Sequence, residues 1–92
     1  MDIDHLAIIV RGQADALFPH RTDASMYLKL YSEIAEIIES NGSSDEVADA
    51  FIMLLDYAAR KNIVLTDAIL NKMEVNERRQ WCLTPAGTYQ HV

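Results

Sequence analysis

Four segments of this chain carry apolar residues at helical spacing, separated by short breaks rich in helix-stopping residues. The first runs from about Asp4 to Leu17, with Leu6, Ile9, Val10, Ala14 and Leu17 on one stripe and Pro19 ending it. After the loop Phe18–Asp23, Thr22 or Asp23 is placed to cap a second helix that reaches about Ser40. Its stripe is Tyr27, Leu30, Tyr31, Ile34, Ile37 and Ile38. Asn41-Gly42 is a stop, because both residues tolerate the left-handed conformation. Ser43 or Ser44 then starts a third helix, and Ser43 with Glu46 has capping-box spacing. This helix runs to about Lys61, with Asn62 closing it. Thr66 is the expected cap of a fourth helix that carries Ile69, Leu70, Met73 and Val75 and reaches about Trp81. Pro85 and Gly87 mark a short irregular tail, 83–92. No segment alternates with period two over a useful length, and there is no repeat. The pattern predicts one all-α domain over 1–92, a four-helix bundle with short connections.

Composition narrows the classes. Half of the 92 residues are hydrophobic, but a chain this short stabilises itself only marginally alone. Apolar residues left over on several helix faces are expected to be buried between subunits. Asp and Glu number 14 against 8 Lys and Arg, and the only basic runs are the dipeptides Arg60-Lys61 and Arg78-Arg79. That excludes a basic face for a nucleic acid polymer and leaves free nucleotides possible. The single cysteine, Cys82, allows no intrachain disulfide. No basic, apolar leader opens the sequence, and no apolar run approaches the roughly 20 residues of a membrane span. The expectation is a reduced, cytosolic protein away from the membrane.

Four acidic residues in two matched pairs carry the candidate chemistry. Glu33 and Glu36 lie three apart in the second helix, and Glu46 and Asp49 three apart in the third. Residues at that spacing share a helix face. From Val47 to Ala59 the only charged side chains are Asp49 and Asp56. A helix apolar nearly all round is normally buried, and a buried carboxylate is costly unless it is paired or holds a metal. Two antiparallel helices joined by a short loop bring the two acidic pairs together. Four clustered carboxylates need a counter-charge. A hard cation, Mg²⁺ or Mn²⁺, supplies it through oxygen ligands. Ligand type argues against zinc, since no Cys/His set is available. A di-iron site would want Glu-x-x-His pairs, which His5, His20 and His91 are not placed to provide. The plainer alternatives are a solvated face for Glu33 and Glu36, a dipole-favoured helix start for Glu46, and a buried structural pairing for Asp49 and Asp56. Asp56, one turn beyond Met53, is either a ligand or a residue supporting the ligands.

The fourth helix adds cations. Lys72, Asn76 and Arg79 are spaced four and three apart and project from one face. An ammonium, an amide and a guanidinium on one stripe suit a phosphate clamp. Surface pairing with Glu74 or Glu77 is the alternative. Acidic cluster and basic stripe together point to phosphoryl chemistry.

Glu33-x-x-Glu36 followed by Glu46-x-x-Asp49 resembles the signature of the MazG-like all-α nucleoside triphosphate pyrophosphohydrolases. The stretch from Asp45 to Asp56 resembles that family's third helix, and Lys72-x-x-x-Asn76-x-x-Arg79-x-Trp81 its downstream motif. The ending Gly87–Val92 is similar to the phage and bacterial dATP/dGTP diphosphohydrolase branch. The resemblance covers the chain from about Phe18 onward. The gap between Glu36 and Glu46 is short for the family, and the first helix carries no matching motif. The resemblance implies hydrolysis of a nucleoside triphosphate between its α and β phosphates, giving a monophosphate and pyrophosphate. It implies that Glu33, Glu36, Glu46 and Asp49 hold Mg²⁺, with Glu36 as the candidate base. Lys72, Asn76 and Arg79 would hold the β and γ phosphates. It also implies a homodimer or homotetramer with the site at or near a subunit interface.

Phe18, His20, Tyr27, Trp81 and Tyr89 are the aromatic candidates for stacking on a base, though core or interface packing is the commoner role for each. Two other readings stay open. One is a non-catalytic helical dimerisation or regulatory module, whose carboxylates would bind no ion. The other is a phosphoribosyl-ATP pyrophosphohydrolase on the same acidic scaffold.

Overall fold

The computed structural model describes all residues, 1–92. It contains α1 (Ile3–Leu17), α2 (Asp23–Glu39), α3 (Ser44–Arg60), α4 (Leu65–Arg78), β1 (Trp81–Leu83) and β2 (Tyr89–His91). Helix α3 is the central element, with α1 and α2 packed on it, while α4 rests on α1. No helix is long and apolar enough to cross a membrane.

The helix boundaries follow from local capping. The Asp2 carboxylate accepts from the His5 amide at 2.8 Å and starts α1. Thr22 and Ser25 form a reciprocal capping box at the head of α2. Asn41 (φ 56°) and Gly42 (φ 79°) end α2. The Gly42 amide donates to Ile37 and the Asn41 amide to Ile38, which is a Schellman closure. Asn62 and Ile63 close α3 in the same way, donating to Ala59 and Ala58.

Two expected caps differ. Ser43 accepts from the Glu46 amide, but its own amide donates to the Ser40 hydroxyl rather than to Glu46. The Glu46 carboxylate is thereby left free for another role. Helix α4 has no side-chain cap of its own. Asp4, on α1, accepts from the Leu65 and Thr66 amides at 2.6 and 3.3 Å. Bonds from the Thr66 hydroxyl and these two amides hold the Asp4 carboxyl below its usual range despite partial desolvation. Thr66 therefore answers to Asp4 instead of capping α4 itself. This long-range carboxylate ties the fourth helix to the first.

The tail is a hairpin, not an irregular segment. β1 and β2 pair antiparallel with Trp81 opposite His91, Cys82 opposite Gln90 and Leu83 opposite Tyr89. Thr84–Gly87 makes the turn, with Pro85 fixing the first corner and Gly87 in the left-handed region at φ 83°. The Trp81 indole N–H donates to the Asn76 carbonyl at 2.8 Å and pins the hairpin to the end of α4. Helix α4 stops at Arg78, short of the Trp81 expected from its pattern. The strands are three residues long and exposed on both faces, so they carry no alternation that periodicity can detect.

The core is thin. Its buried apolar residues are Ala7, Ala14, Met26, Ala50, Leu55 and Ala58, and small side chains let α1 lie close against α3. The radius of gyration is 15.5 Å, against about 12 Å for a compact domain of this length. Phe51, Ile52 and Leu54 of α3 are exposed, as are Leu28, Tyr31 and Ile38 of α2. The single chain therefore does not bury its third helix all round, contrary to the expectation drawn from its apolar sequence.

Candidate active site

The facing turns of α2 and α3 bring carboxylates together. Glu33, Glu46 and Asp49 each offer an oxygen, and these oxygens lie within 4.8 Å of one another. Glu33 is buried, Glu46 half-buried and Asp49 exposed. One oxygen of Glu33 and one of Glu46 are buried with no hydrogen-bond partner. Glu36 stands beside them, one turn along α2. The carboxylates of Glu33 and then Glu46 lie within hydrogen-bonding reach and raise its pKa above the ordinary glutamate value. The only cation at the cluster is Lys29, whose Nζ lies 2.9 Å from a Glu33 oxygen. That pair raises the lysine's pKa, with smaller contributions from Glu36 and Asp49.

This donor set fits a hard divalent cation. All ligands are carboxylate oxygens, and two of them are buried acceptors with nothing in the chain to satisfy them. An ion would satisfy both and offset the mutual repulsion that acts on Glu36.

Asp56 stands differently. Both its oxygens are taken by Arg21, at 2.7 Å from Nε and 2.8 Å from Nη2. Arg21 Nη2 also reaches Asp15 at 2.7 Å, and Nη1 donates to the Phe18 carbonyl. The side chains of Arg21 and Asp56 are 11% and 5% exposed. The Asp56 hydrogen bonds are the largest influence raising the Arg21 pKa further above its ordinary value, and Arg21 in turn lowers that of Asp15. With both oxygens engaged, Asp56 offers no free atom to an ion. It locks the loop after α1 onto α3.

The basic stripe lies on α4. Asn76 and Arg79 are half-buried and Lys72 is exposed. Surface pairing on this helix falls to Arg78 with Glu74, and neither Lys72 nor Arg79 enters an ion pair. A side-chain oxygen of Asn76 is buried without a partner. Since α4 rests on α1, the stripe and the acidic cluster belong to helices that do not form a packed pair within one chain.

Between the end of α1, the start of α2 and the middle of α3 lies a cavity of about 310 Å³. Its walls include Ala14, Phe18, Met26, Ile52 and Met53, with Arg21, Ser25, Lys29 and Asp56 as the polar members. Of the aromatic candidates, Phe18 lines this cavity. Tyr27 lines a smaller one and hydrogen-bonds Tyr57 at 2.9 Å. Trp81 and Tyr89 belong to the hairpin, and His20 is exposed.

Comparison with known proteins meets this geometry. No protein-family model matches the chain. It is 44% identical over 85 residues to a dATP/dGTP diphosphohydrolase of Salmonella phage PMBT28, covering 91% of this chain and 29% of that protein. It is 36% identical over 78 residues to a dATP/dGTP diphosphohydrolase of Cyanophage S-2L, covering 83% of this chain and 74% of the relative. A solved structure superposes with a TM-score of 0.91 at 30% identity, covering 100% of this chain and 93% of the other. That structure is the Cyanophage S-2L MazG-like pyrophosphohydrolase bound to dGDP and three catalytic Mn²⁺ ions per active site. The chain belongs to the MazG-like pyrophosphohydrolase family. It spans less than a third of the Salmonella phage relative, so it corresponds to one part of that longer protein. As a MazG-like chain it has the four-helix bundle expected of the family, followed by the hairpin at the end of α4.

Sequence reasoning passed over Lys29 and Arg21. Lys29 had a readable signal, being four residues before Glu33 on the same helix. Arg21 had none, since its partner Asp56 lies 35 residues away.

Proposed function

We propose that this MazG-like chain hydrolyses (deoxy)nucleoside triphosphates between the α and β phosphates, releasing a monophosphate and pyrophosphate, with Mg²⁺ as the working ion and Mn²⁺ as a substitute. The reading rests on one observation above others: buried oxygens of Glu33 and Glu46 have no partner in the chain, beside an oxygen of Asp49. The relatives' names and the Mn²⁺ of the superposed structure support it.

In this reading Glu33, Glu36, Glu46 and Asp49 hold the cation. The bound cation would lower the proton affinity of the attacking water and offset phosphate charge. Glu36, one turn from Glu33 on α2 and within hydrogen-bonding reach of Glu33 and Glu46, is the residue assigned as base. Glu33, buried and tied to Lys29, fixes the α2 side of the site. Lys72, Asn76 and Arg79 bind the β and γ phosphates and stabilise the leaving pyrophosphate. Neither Lys72 nor Arg79 is held by an internal ion pair. The chain works as a homodimer or homotetramer, in which a second copy covers the apolar faces of α2 and α3 and completes the site. The wide radius of gyration and the exposed Leu28, Tyr31, Phe51 and Leu54 support that assembly. The setting is nucleotide-pool control in the cytosol of a bacterial or phage-infected cell.

The test is incubation of the purified chain with each common triphosphate and Mg²⁺ or Mn²⁺, with products separated by ion exchange. Equal amounts of monophosphate and pyrophosphate are expected, abolished by Asp49→Asn. Release of inorganic phosphate alone, or a monodisperse monomer with full activity, would overturn the reaction or the assembly respectively.

A further inference from the structure

Helix α4 carries the basic stripe on an arm that the rest of the chain barely packs. None of its residues is buried, and its packing partner is α1. Ile69, Leu70 and Met73 are exposed. At the joint, a cavity of about 270 Å³ lies between the first turns of α1 and the α3–α4 connection, walled by Ala7, Ile8, Ala59, Ile63 and Val64. Apolar contact therefore does little to fix the direction of the arm.

The one long-range polar hold on α4 is Asp4, in the first turn of α1. Its carboxylate takes the Leu65 and Thr66 amides at 2.6 and 3.3 Å. These amides open α4 and have no partner within the helix, and Val64, at the capping position, has no side-chain acceptor for them. Helix α1 is set in turn against α3, where Ala7 and Ala14 are buried. A path of fixed contacts thus runs from Glu46 and Asp49 through α3 and α1 to Asp4, and from there into the stripe. At the far end, the Trp81 indole holds the Asn76 carbonyl, which steadies the end of the helix but not its direction. The helix is 14 residues long, or about 21 Å at about 1.5 Å per residue. A swing of about 3° at its start therefore moves its far end by about 1 Å, and a misplacement of about that size can cost roughly 100-fold.

We propose that Asp4 is a positioning residue for the phosphate clamp: by tethering the start of α4 to α1 it aims Lys72, Asn76 and Arg79, and so sets the affinity for the β and γ phosphates without touching the nucleotide. The proposal rests on the function proposed above, in which that stripe binds phosphate, and it holds whichever copy's carboxylates the stripe faces. It separates two tasks of one carboxylate. Capping the helix is a local task that any acceptor at position 64 can perform. Aiming the helix needs an acceptor that belongs to α1.

Calorimetric titration of the Mn²⁺-loaded chain tests this without turnover, using the α,β-imido analogue of dGTP, which resists cleavage, and dGMP, which lacks the β and γ phosphates. Asp4→Ala should weaken the triphosphate analogue about 10–100-fold. The affinity for dGMP, and that for Mn²⁺ read by electron spin resonance, should stay in place. Asp4→Asn, whose amide oxygen still accepts, should lose less. Adding Val64→Ser to Asp4→Ala gives α4 a cap of its own. Exchange of the Thr66 amide should then slow again while the triphosphate affinity stays low. An equal loss for dGMP or for Mn²⁺, no loss for the triphosphate, or its recovery with Val64→Ser overturns the proposal. If Asp4→Ala fails to fold, Asp4→Asn makes the same comparison, and the absence of a loss selective for the triphosphate overturns it. Lys72→Ala tells the two readings apart. If it leaves triphosphate affinity intact, the clamp itself is removed and the tether with it. If it lowers that affinity while the Asp4 changes do not, the clamp stands and the tether alone falls.

Discussion

Two carboxylate-bearing regions of α3 lie on one helix and behave in opposite ways. Toward its start, Glu46 and Asp49 meet Glu33, and one oxygen of Glu33 and one of Glu46 are buried with no partner in the chain. Toward its end, Asp56 is held by Arg21 through two short bonds in a nearly closed environment. Burial alone does not separate them, since Glu33 and Asp56 are almost equally buried, at 4% and 3% exposed. What separates them is how far the chain supplies the counter-charge: Arg21 engages both Asp56 oxygens, whereas Lys29 meets one oxygen of Glu33 and leaves the other without a partner. A carboxylate whose partner is internal is a structural clasp, while a carboxylate group left wanting is a place for something from outside.

The sharpest way to break this contrast is to change a ligand and watch the ion. Glu33→Gln and Asp49→Asn should each weaken Mn²⁺ binding by more than the roughly 10–100-fold typical of residues that merely support a ligand. Titration calorimetry reads the loss. Melting without metal should stay nearly unchanged, because Asp49→Asn removes no ion pair and Glu33→Gln removes only the pair with the exposed Lys29.

The clasp should respond the other way. Arg21→Ala leaves Asp56 buried and unpaired, which costs about 3–5 kcal/mol of stability by urea unfolding. Replacing both partners, with Arg21→Met and Asp56→Leu, should recover most of that loss, because no charge then remains buried. Failure of the double change to recover stability would show that Asp15 and the Phe18 carbonyl matter more than the pair.

A smaller effect sharpens the comparison further. The Glu36 carboxyl is held above its ordinary pKa by its like-charged neighbours, so its ionised form works against the folded state. The penalty is absent at acid pH, where the group is protonated in both states, and grows as pH rises past the ordinary glutamate range. Glu36→Gln should therefore raise the melting temperature of the metal-free chain at neutral pH, with the gain vanishing in acid. The same change should lower Mn²⁺ affinity. Asp4 gives the mirror case. Its pKa is lowered, so its contribution is present at neutral pH and is lost as pH falls through its depressed value. Hydrogen exchange of the Leu65 and Thr66 amides should accelerate in that acid window before the rest of α4 loosens.

The helices and the acidic turns of α2 and α3 were legible because both are local. Apolar stripes, Asn41-Gly42 and the i,i+3 acidic pairs each lie within a few residues of one another, where spacing maps directly onto a face. The Asp4 cap and the Arg21–Asp56 clasp bridge 61 and 35 residues and leave no such trace. The hairpin escaped for a different reason: its strands bury nothing, so no face of theirs is marked by hydrophobicity. The apolar third helix misled in a single chain, since Phe51, Ile52 and Leu54 point to solvent. In the proposed function, these residues are the surface that a second copy covers.

The turn Ser40–Ser43 has a kinetic consequence. Every oxygen of the acidic cluster arises between residues 33 and 49, across a bend closed by its own backbone bonds. Loops of that length meet in about 10–100 ns, far faster than distant segments find one another. In the proposed reading of the site, the α2–α3 hairpin holds by itself every oxygen needed to capture the ion, so a divalent cation would be able to staple these two helices before the first helix docks.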